Sequence, residues 1–325
     1  MRIPSKIYLW IFSVLALCDP SAAAQQAQKL PKIGFLASNG DFPSRLESFR
    51  QGLREIGYIE GQNLVLHLRT GRETQLKDLA AELVQLKVDV IVAPRGDAVS
   101  AAKAVTNSTP IVGTFLGDPV RLGYLTSLER PGGNITGVNG LTLELGGKWL
   151  ELVKEIKPSA KRVGVFYNAI AEEKFPLWKS LDAAARNLGI EIRWFHAGDG
   201  YLNVNLRKSR WRQVDGFIVL PGFSHSRNLR DLADFGLRNK IPGILWSTEL
   251  EWEQYGGVVA YGANPKEQAR RIAYPVDKIL KGAKPADLPV ERPTQFELVI
   301  NLRTAKEIGV TIHPEVLMWA DRVIQ

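Results

Sequence analysis

The sequence predicts an α/β protein built from two doubly wound, parallel-sheet lobes, and three observations predict it. Short apolar runs bounded by Gly, Pro or Asp alternate with longer stretches whose apolar residues recur at helical spacing, the β-α-β order of a parallel sheet with right-handed crossovers. That alternation runs once before residue 117 and again after residue 145. A chain of about 300 residues beyond its leader also exceeds one comfortable core, so two domains of roughly 130 to 160 residues are expected.

The leader comes first. Met1, Arg2 and Lys6 precede an eleven-residue apolar run, Ile7 to Leu17, and small residues ending at Ala22-Ala23-Ala24. A basic start, a short apolar run and an Ala-x-Ala site predict a secretory signal peptide over residues 1–24, too short to span a membrane as a helix. Cys18, the only cysteine, lies inside it. Leu15-Ala16-Leu17-Cys18 is a partial lipobox with Leu17 where a small residue is expected, so a free exported protein is expected in preference to one lipidated at Cys18. The exported chain then has no disulfide and no thiolate metal site. Losing Arg2, Lys6 and Asp19 takes the net charge from +8 to +7, and no basic block follows. The cluster Arg207-Lys208-Ser209-Arg210-Trp211-Arg212 reads as one solvated helix face, and no nucleic-acid partner is expected.

Strand 32–37 opens the first half and leaves through Ser38-Asn39-Gly40-Asp41; helix 42–56 carries Leu46, Phe49, Leu53 and Ile56 on one face, with Gly57 as its C-cap. Strand 63–68, helix 76–86, strand 88–93 with its exit loop Pro94-Arg95-Gly96-Asp97, helix 98–105 and strand 110–116 follow. The stretch from Gly117 to Asn139 has the composition of a strand end, a loop and a crossing segment, with the turn Arg130-Pro131-Gly132-Gly133-Asn134 before a short run from Ile135 to Val138.

The rhythm then repeats through helix 145–156, strand 162–167, helix 175–188, strand 190–195, helix 201–214, strand 216–220, helix 227–239 and strand 242–246. Strand 258–262 and helix 265–280 come next, and Pro275 inside that helix removes a backbone donor and predicts a kink. Residues 281–293 read as a Pro-rich linker, and the tail as a strand over 296–302 and a helix from about Pro314.

Catalytic signatures are mostly absent: there is no His-Glu-x-x-His, Gly-x-Ser-x-Gly, P-loop or Gly-x-Gly-x-x-Gly. His67, His196, His225 and His313 are scattered without ligand spacing, so neither a metal nor a cofactor is expected. Polar and aromatic residues gather instead at the carboxyl ends of strands: Ser38, Asn39, Arg95, Gly96, Asp97, Gly117, Asp118 and Asn139 in the first half, Tyr167, Asn168, Pro221, Trp246, Ser247 and Tyr261 in the second. Such loops form the ligand crevice of open α/β sheets. A ligand-binding cleft between two lobes is the expectation. A secreted α/β enzyme using Asp118 or Asp97 as acid or base is the rival, weakened by the lack of an activating partner in the sequence. Arg95 offers a planar fork of donors suited to a carboxylate, and Tyr167, Trp246 and Tyr261 offer flat apolar surface.

Six segments carry a resemblance to a known family. They are Phe49 to Asn63 (FRQGLREIGYIEGQN), Leu79 to Val92 (LAAELVQLKVDVIV), Gly117 to Val120 (GDPV), Arg130 to Gly137 (RPGGNITG), Val276 to Val290 (VDKILKGAKPADLPV) and Phe296 to Asn301 (FELVIN). Together they resemble the ABC transporter substrate-binding proteins that include tryptophan and tyrosine binders. The resemblance implies the type I periplasmic-binding fold, in which two doubly wound lobes are joined by a three-segment hinge and a small solute is captured by hinge closure. It implies an N-terminal lobe of residues 30–138 plus 262–292 and a C-terminal lobe of 139–261 plus 293–325. It also implies a periplasmic, monomeric, non-enzymatic receptor that serves ABC permease subunits. Two loops depart from the family pattern: Pro94-Arg95-Gly96-Asp97-Ala98 replaces the usual Ala-Gly-Thr-Pro-Ala, and Asn168-Ala169 replaces Asn-Pro.

Overall fold

Five parallel strands form the first sheet: β1 (Lys32–Ser38), β2 (Val65–Gly71), β3 (Val90–Ala93), β4 (Ile111–Phe115) and β5 (Ile135–Asn139), in the order β2-β1-β3-β4-β5. The computed structural model describes residues 30–39, 42–115, 117–140, 145–167, 176–196, 213–220, 226–246 and 257–325. The leader with Cys18 and nearly all of the helix expected over 201–214 lie outside them. In β3, β4 and β5 every residue is buried, as expected of strands covered on both faces. The covering helices are α1 (Phe42–Glu55), α2 (Leu76–Gln85) and α3 (Gly96–Lys103).

The second sheet repeats the design with β6 (Arg162–Tyr167), β7 (Glu191–His196), β8 (Gly216–Val219), β9 (Gly243–Leu245) and β10 (Val259–Ala263), then extends it with β11 (Phe296–Asn301) and β12 (Arg322–Ile324). Its order is β12-β11-β10-β9-β8-β6-β7. Strands β6 to β10 are parallel, whereas β11 runs antiparallel to β10 and β12 parallel to β11. Around this sheet lie α4 (Leu145–Ile156), α5 (Pro176–Leu188), α6 (Ser226–Asn239), α9 (Leu302–Ile308) and α10 (Pro314–Met318). Trp149 of α4, fully buried, donates its Nε1–H to the Tyr261 carbonyl at 2.7 Å and so fixes the helix to β10.

One device recurs in both sheets. Asp89, just before β3, accepts from the Lys32 amide at 2.7 Å and donates its own amide to the Lys32 carbonyl at 2.8 Å. Asp215, just before β8, accepts from the amides of Lys161 and Arg162, each at 2.9 Å, and donates to the Arg162 carbonyl at 2.7 Å. Each aspartate thus ties the start of its strand to the start of the central neighbour. Burial draws the Asp215 carboxyl upward, but the two amides, aided by the charges of Lys157 and Arg162, outweigh it and hold the group below its ordinary value. A depressed folded value means stabilisation that is present above the unfolded pKa and lost as pH falls through the folded one. Asp215→Asn should therefore cost about 1 kcal/mol at pH 7. Urea midpoints of the two proteins should converge as pH falls below the ordinary carboxylate range; an equal gap at neutral and acid pH would remove the charge as the cause.

Two short helices, α7 (Pro265–Arg271) and α8 (Ala273–Leu280), stand where one was expected. Pro275 accounts for the break at Ile272: it has no N–H for the Arg271 carbonyl one turn back, and its ring crowds that carbonyl. Both helices leave the second sheet and pack on the first, where Ile272, Ala273 and Val276 join Phe49 and Leu53 of α1 in one buried cluster. Within the segment read as a linker, a 3₁₀ turn spans Pro285–Asp287, and Glu291 pairs with β5. The Glu291 amide donates to the Gly137 carbonyl at 3.0 Å and its carbonyl accepts from the Asn139 amide at 2.7 Å. Arg271 clamps the Glu291 carboxylate at 2.7 Å. Three stretches of chain therefore pass between the two sheets: after β5, after β10, and before β11.

Candidate functional site

Two of those passages begin at carboxyl ends of parallel strands, Asn139 of β5 and Ala263 of β10. Both sheets accordingly turn their carboxyl edges toward the crossings. In each, the strand order reverses beside the first strand, between β1 and β3 and between β6 and β8, and ligands of open α/β sheets sit outside such reversals.

At the first reversal Ser38 ends β1 half-buried, and Asn39 donates its amide to the Gly71 carbonyl at 2.9 Å. Arg95 follows β3 as the N-cap residue of α3, with extended backbone (φ −148°) and a carbonyl that accepts from the Val99 amide. Its guanidinium Nε lies 3.5 Å from Oδ1 of Asp97, whose side chain is 13% exposed against 29% for Arg95. At that separation the pair is an ion pair but not a good hydrogen bond. Gly96 opens α3, and a Cβ there would meet nothing within 4 Å. Asn139 is buried at the end of β5.

Gly117 is buried, and Asp118 is committed to the turn that follows β4: its Oδ1 accepts from the amides of Val120 and Arg121 at 3.0 and 3.2 Å, and its other oxygen lies 3.6 Å from Arg121. That is the work of an Asx turn, done by the residue type best suited to it. The contacts observed for Asp118 and Asp97 are with backbone amides and with Arg121 and Arg95.

The second reversal carries aromatic side chains. Tyr167, at the end of β6, meets Trp178 of α5 edge-on with centroids 4.8 Å apart and His196 of β7 at 5.4 Å; Trp178 and Trp194 stack at 4.2 Å. Trp246 follows β9, half-buried, and its indole N–H has no hydrogen-bond partner among the described residues. Tyr261 in β10 lies over Phe296 at 6.0 Å, and burial, with the charges of Asp321 and Glu151 behind it, pushes its phenol above the ordinary value. Asn168, Pro221 and Ser247 lie outside the described residues.

Three contributors escaped the sequence reading. Trp178 and His196 stand beside Tyr167, and each has a buried ring nitrogen without a hydrogen-bond partner among the described residues. Arg45, on α1, is only 5% exposed, and its Nη1 donates to the Pro94 carbonyl at 2.9 Å. A signal for Arg45 existed. It lies one turn before Phe49 on the apolar face of α1, where a charge is out of place.

Among the described residues no three His, Cys, Asp or Glu side chains group as metal ligands, and no helix is long and apolar enough to cross a membrane. What the two edges present is a charged, hydrogen-bonding rim on one sheet and an aromatic rim on the other, the makings of a small-molecule site.

A family model described as ABC transporter substrate binding protein matches residues 42–324. A tyrosine-binding protein of Clostridioides difficile is 26% identical over 287 residues, covering 87% of this chain and 81% of that protein. Among solved structures, a conserved domain protein of Vibrio cholerae is 27% identical with a TM-score of 0.76, over 91% of this chain and all of that one. An ABC domain of Streptococcus pneumoniae in complex with L-Trp superposes with a TM-score of 0.77 at 24% identity, again over 91% of this chain and 100% of its own.

Proposed function

The chain belongs to the ABC transporter substrate-binding protein family, and from that premise we propose that it is an exported receptor that captures a small carboxylate-bearing solute, an amino acid or aromatic acid, and hands it to an ABC importer. The fold is that of type I periplasmic binding proteins. The observation that carries the reading is the orientation of both sheets: each directs its carboxyl edge and its point of strand reversal toward the crossings. A ligand held there touches both lobes only when they close, so closure is driven by contacts that the open form lacks. In this reading Arg95 and its neighbours take the carboxylate. Tyr167, Trp246 and Tyr261 supply apolar surface for the remainder. The relatives described as tyrosine-binding and as holding L-Trp support an amino acid with a ring as the first candidate.

A thermal-shift screen of amino acids, aromatic acids and their amides tests it. A ligand bound only by the closed native form should stabilise by about 2.7 kcal/mol at a hundredfold excess over its Kd, with Tm rising as the logarithm of concentration. Were no small solute to raise Tm, the receptor reading would fall.

Export has its own check. Intact-mass measurement on the protein recovered from outside the cytoplasm should show a chain beginning at Gln25; a lipid-bearing Cys18 at the terminus would make it a tethered receptor instead.

A further inference from the structure

We propose that Arg45 is the positioning residue of the anion site: from the core face of α1 it clamps the Pro94 carbonyl, holds the turn that presents Arg95, and adds a second positive charge behind it. This rests on the carboxylate reading above and assigns it a residue that no motif marks.

The argument begins with placement. Arg45, Phe49 and Leu53 follow one another at four-residue spacing, and Phe49 and Leu53 are 0% and 2% exposed, in the cluster under β1 and β3. A guanidinium in that row loses most of its hydration, which costs several kcal/mol unless hydrogen bonds replace it. An aliphatic side chain would fill the position without that cost, so stability alone does not call for an arginine. The Nη1 bond to the Pro94 carbonyl, 2.9 Å long and buried, places the charge at the exit of β3, one residue from Arg95. Pro94 has no amide hydrogen, so this turn lacks one ordinary backbone anchor. Fixing its carbonyl from the side substitutes for that anchor. The position also matters electrically, because a charge shielded from water acts on a neighbouring anion through a lower effective dielectric than a solvated one does.

Clamp and charge predict different behaviour in two variants. Arg45→Lys keeps the charge and a single donor but loses the planar fork; Arg45→Gln keeps a donor and loses the charge. Hydrogen exchange of the unliganded protein reads the clamp: the Val99 amide, which donates to the Arg95 carbonyl, should lose protection by about tenfold in Arg45→Gln while β4 and β9 keep theirs. Calorimetry with L-tyrosine and L-tyrosinamide reads the charge. The wild type should favour the acid, Arg45→Gln should reduce that preference by about tenfold, and Arg45→Lys should restore much of it.

If affinity for acid and amide falls equally in Arg45→Gln, the residue is structural only and the proposal fails. If the wild type binds both probes alike, the carboxylate reading fails and takes this inference with it. If neither probe binds, exchange decides alone: unchanged Val99 protection in both variants overturns the clamp.

Discussion

Arg95→Ala should weaken binding of the proposed carboxylate-bearing ligand by about 2 to 5 kcal/mol, the usual cost of removing one member of a desolvated, hydrogen-bonded charge pair. That corresponds to a loss of roughly thirtyfold to several thousandfold in affinity. Asp97, one intramolecular partner of Arg95, sits 3.5 Å from Nε, a separation at which a ligand carboxylate offering two parallel acceptors competes with it. Arg95→Lys separates charge from shape: a point charge keeps the attraction and loses the fork, so its affinity should fall between wild type and alanine. Calorimetry on the ligand found by thermal shift makes the measurement, and wild-type affinity in Arg95→Ala would take Arg95 out of the site.

Gly137→Ala should be the most destabilising single methyl in the first lobe. Gly137 lies in β5 at φ 155°, opposite Gly113 in the β4–β5 register. A Cβ at this position would overlap the Gly113 carbonyl oxygen, with the Gly113 backbone nitrogen and carbonyl carbon each 2.8 Å away. Backbone cannot rotate aside as a side chain can, so the strands must separate. The expected cost is about 3 kcal/mol or more. The displacement also reaches the crossing before β11, because the Gly137 carbonyl accepts the Glu291 amide. Gly133→Ala is the control: a Cβ there meets nothing within 4 Å. Urea unfolding should show a lower midpoint for Gly137→Ala alone, and equal midpoints for the two variants would refute the close approach.

How far the fold could be read depended on whether its cause was local. Helix 145–156 and strand 162–167 have the expected bounds because apolar periodicity and flanking breakers act within a few residues. The helix Leu302–Ile308 was missed in a tail read as a strand over 296–302 and a helix from about Pro314, although its signals are local too: Asn301 caps it through the Thr304 amide, and Gly309 closes it at φ 85°. There the apolar run of β11 continued into Leu302 and masked the start. The antiparallel entry of β11 was not legible, since strand direction follows from where the chain has travelled. The division at Ile272 was half-visible, because Pro275 announces a kink but not which residue yields.

The site divides in the same way. Arg95, Asp97 and Tyr167 could be named from their places at strand ends. Arg45 was marked only as a charge out of place on the apolar face of α1, and its partner was not legible because that contact spans 49 residues of chain. Asp118 shows the converse: the ordinary turn chemistry of Gly-Asp-Pro accounts for the contacts that it makes.

The docking of α7 and α8 on α1 sets the order in which this protein can be completed. Tyr58 donates its hydroxyl to Asp277 across 219 residues of chain, and Gly52, on the face of α1 turned to the late helices, lies against the Arg270 carbonyl and Ala273. At ordinary synthesis rates that separation is roughly 10 to 40 s of elongation, during which the outer face of α1 has nothing to bury against. The second sheet waits as well, for β11 and β12 come later still. Closing such long loops carries a large entropic cost before any contact repays it, which slows folding. Neither lobe is whole until the chain beyond Pro265 exists, so both are completed late in synthesis.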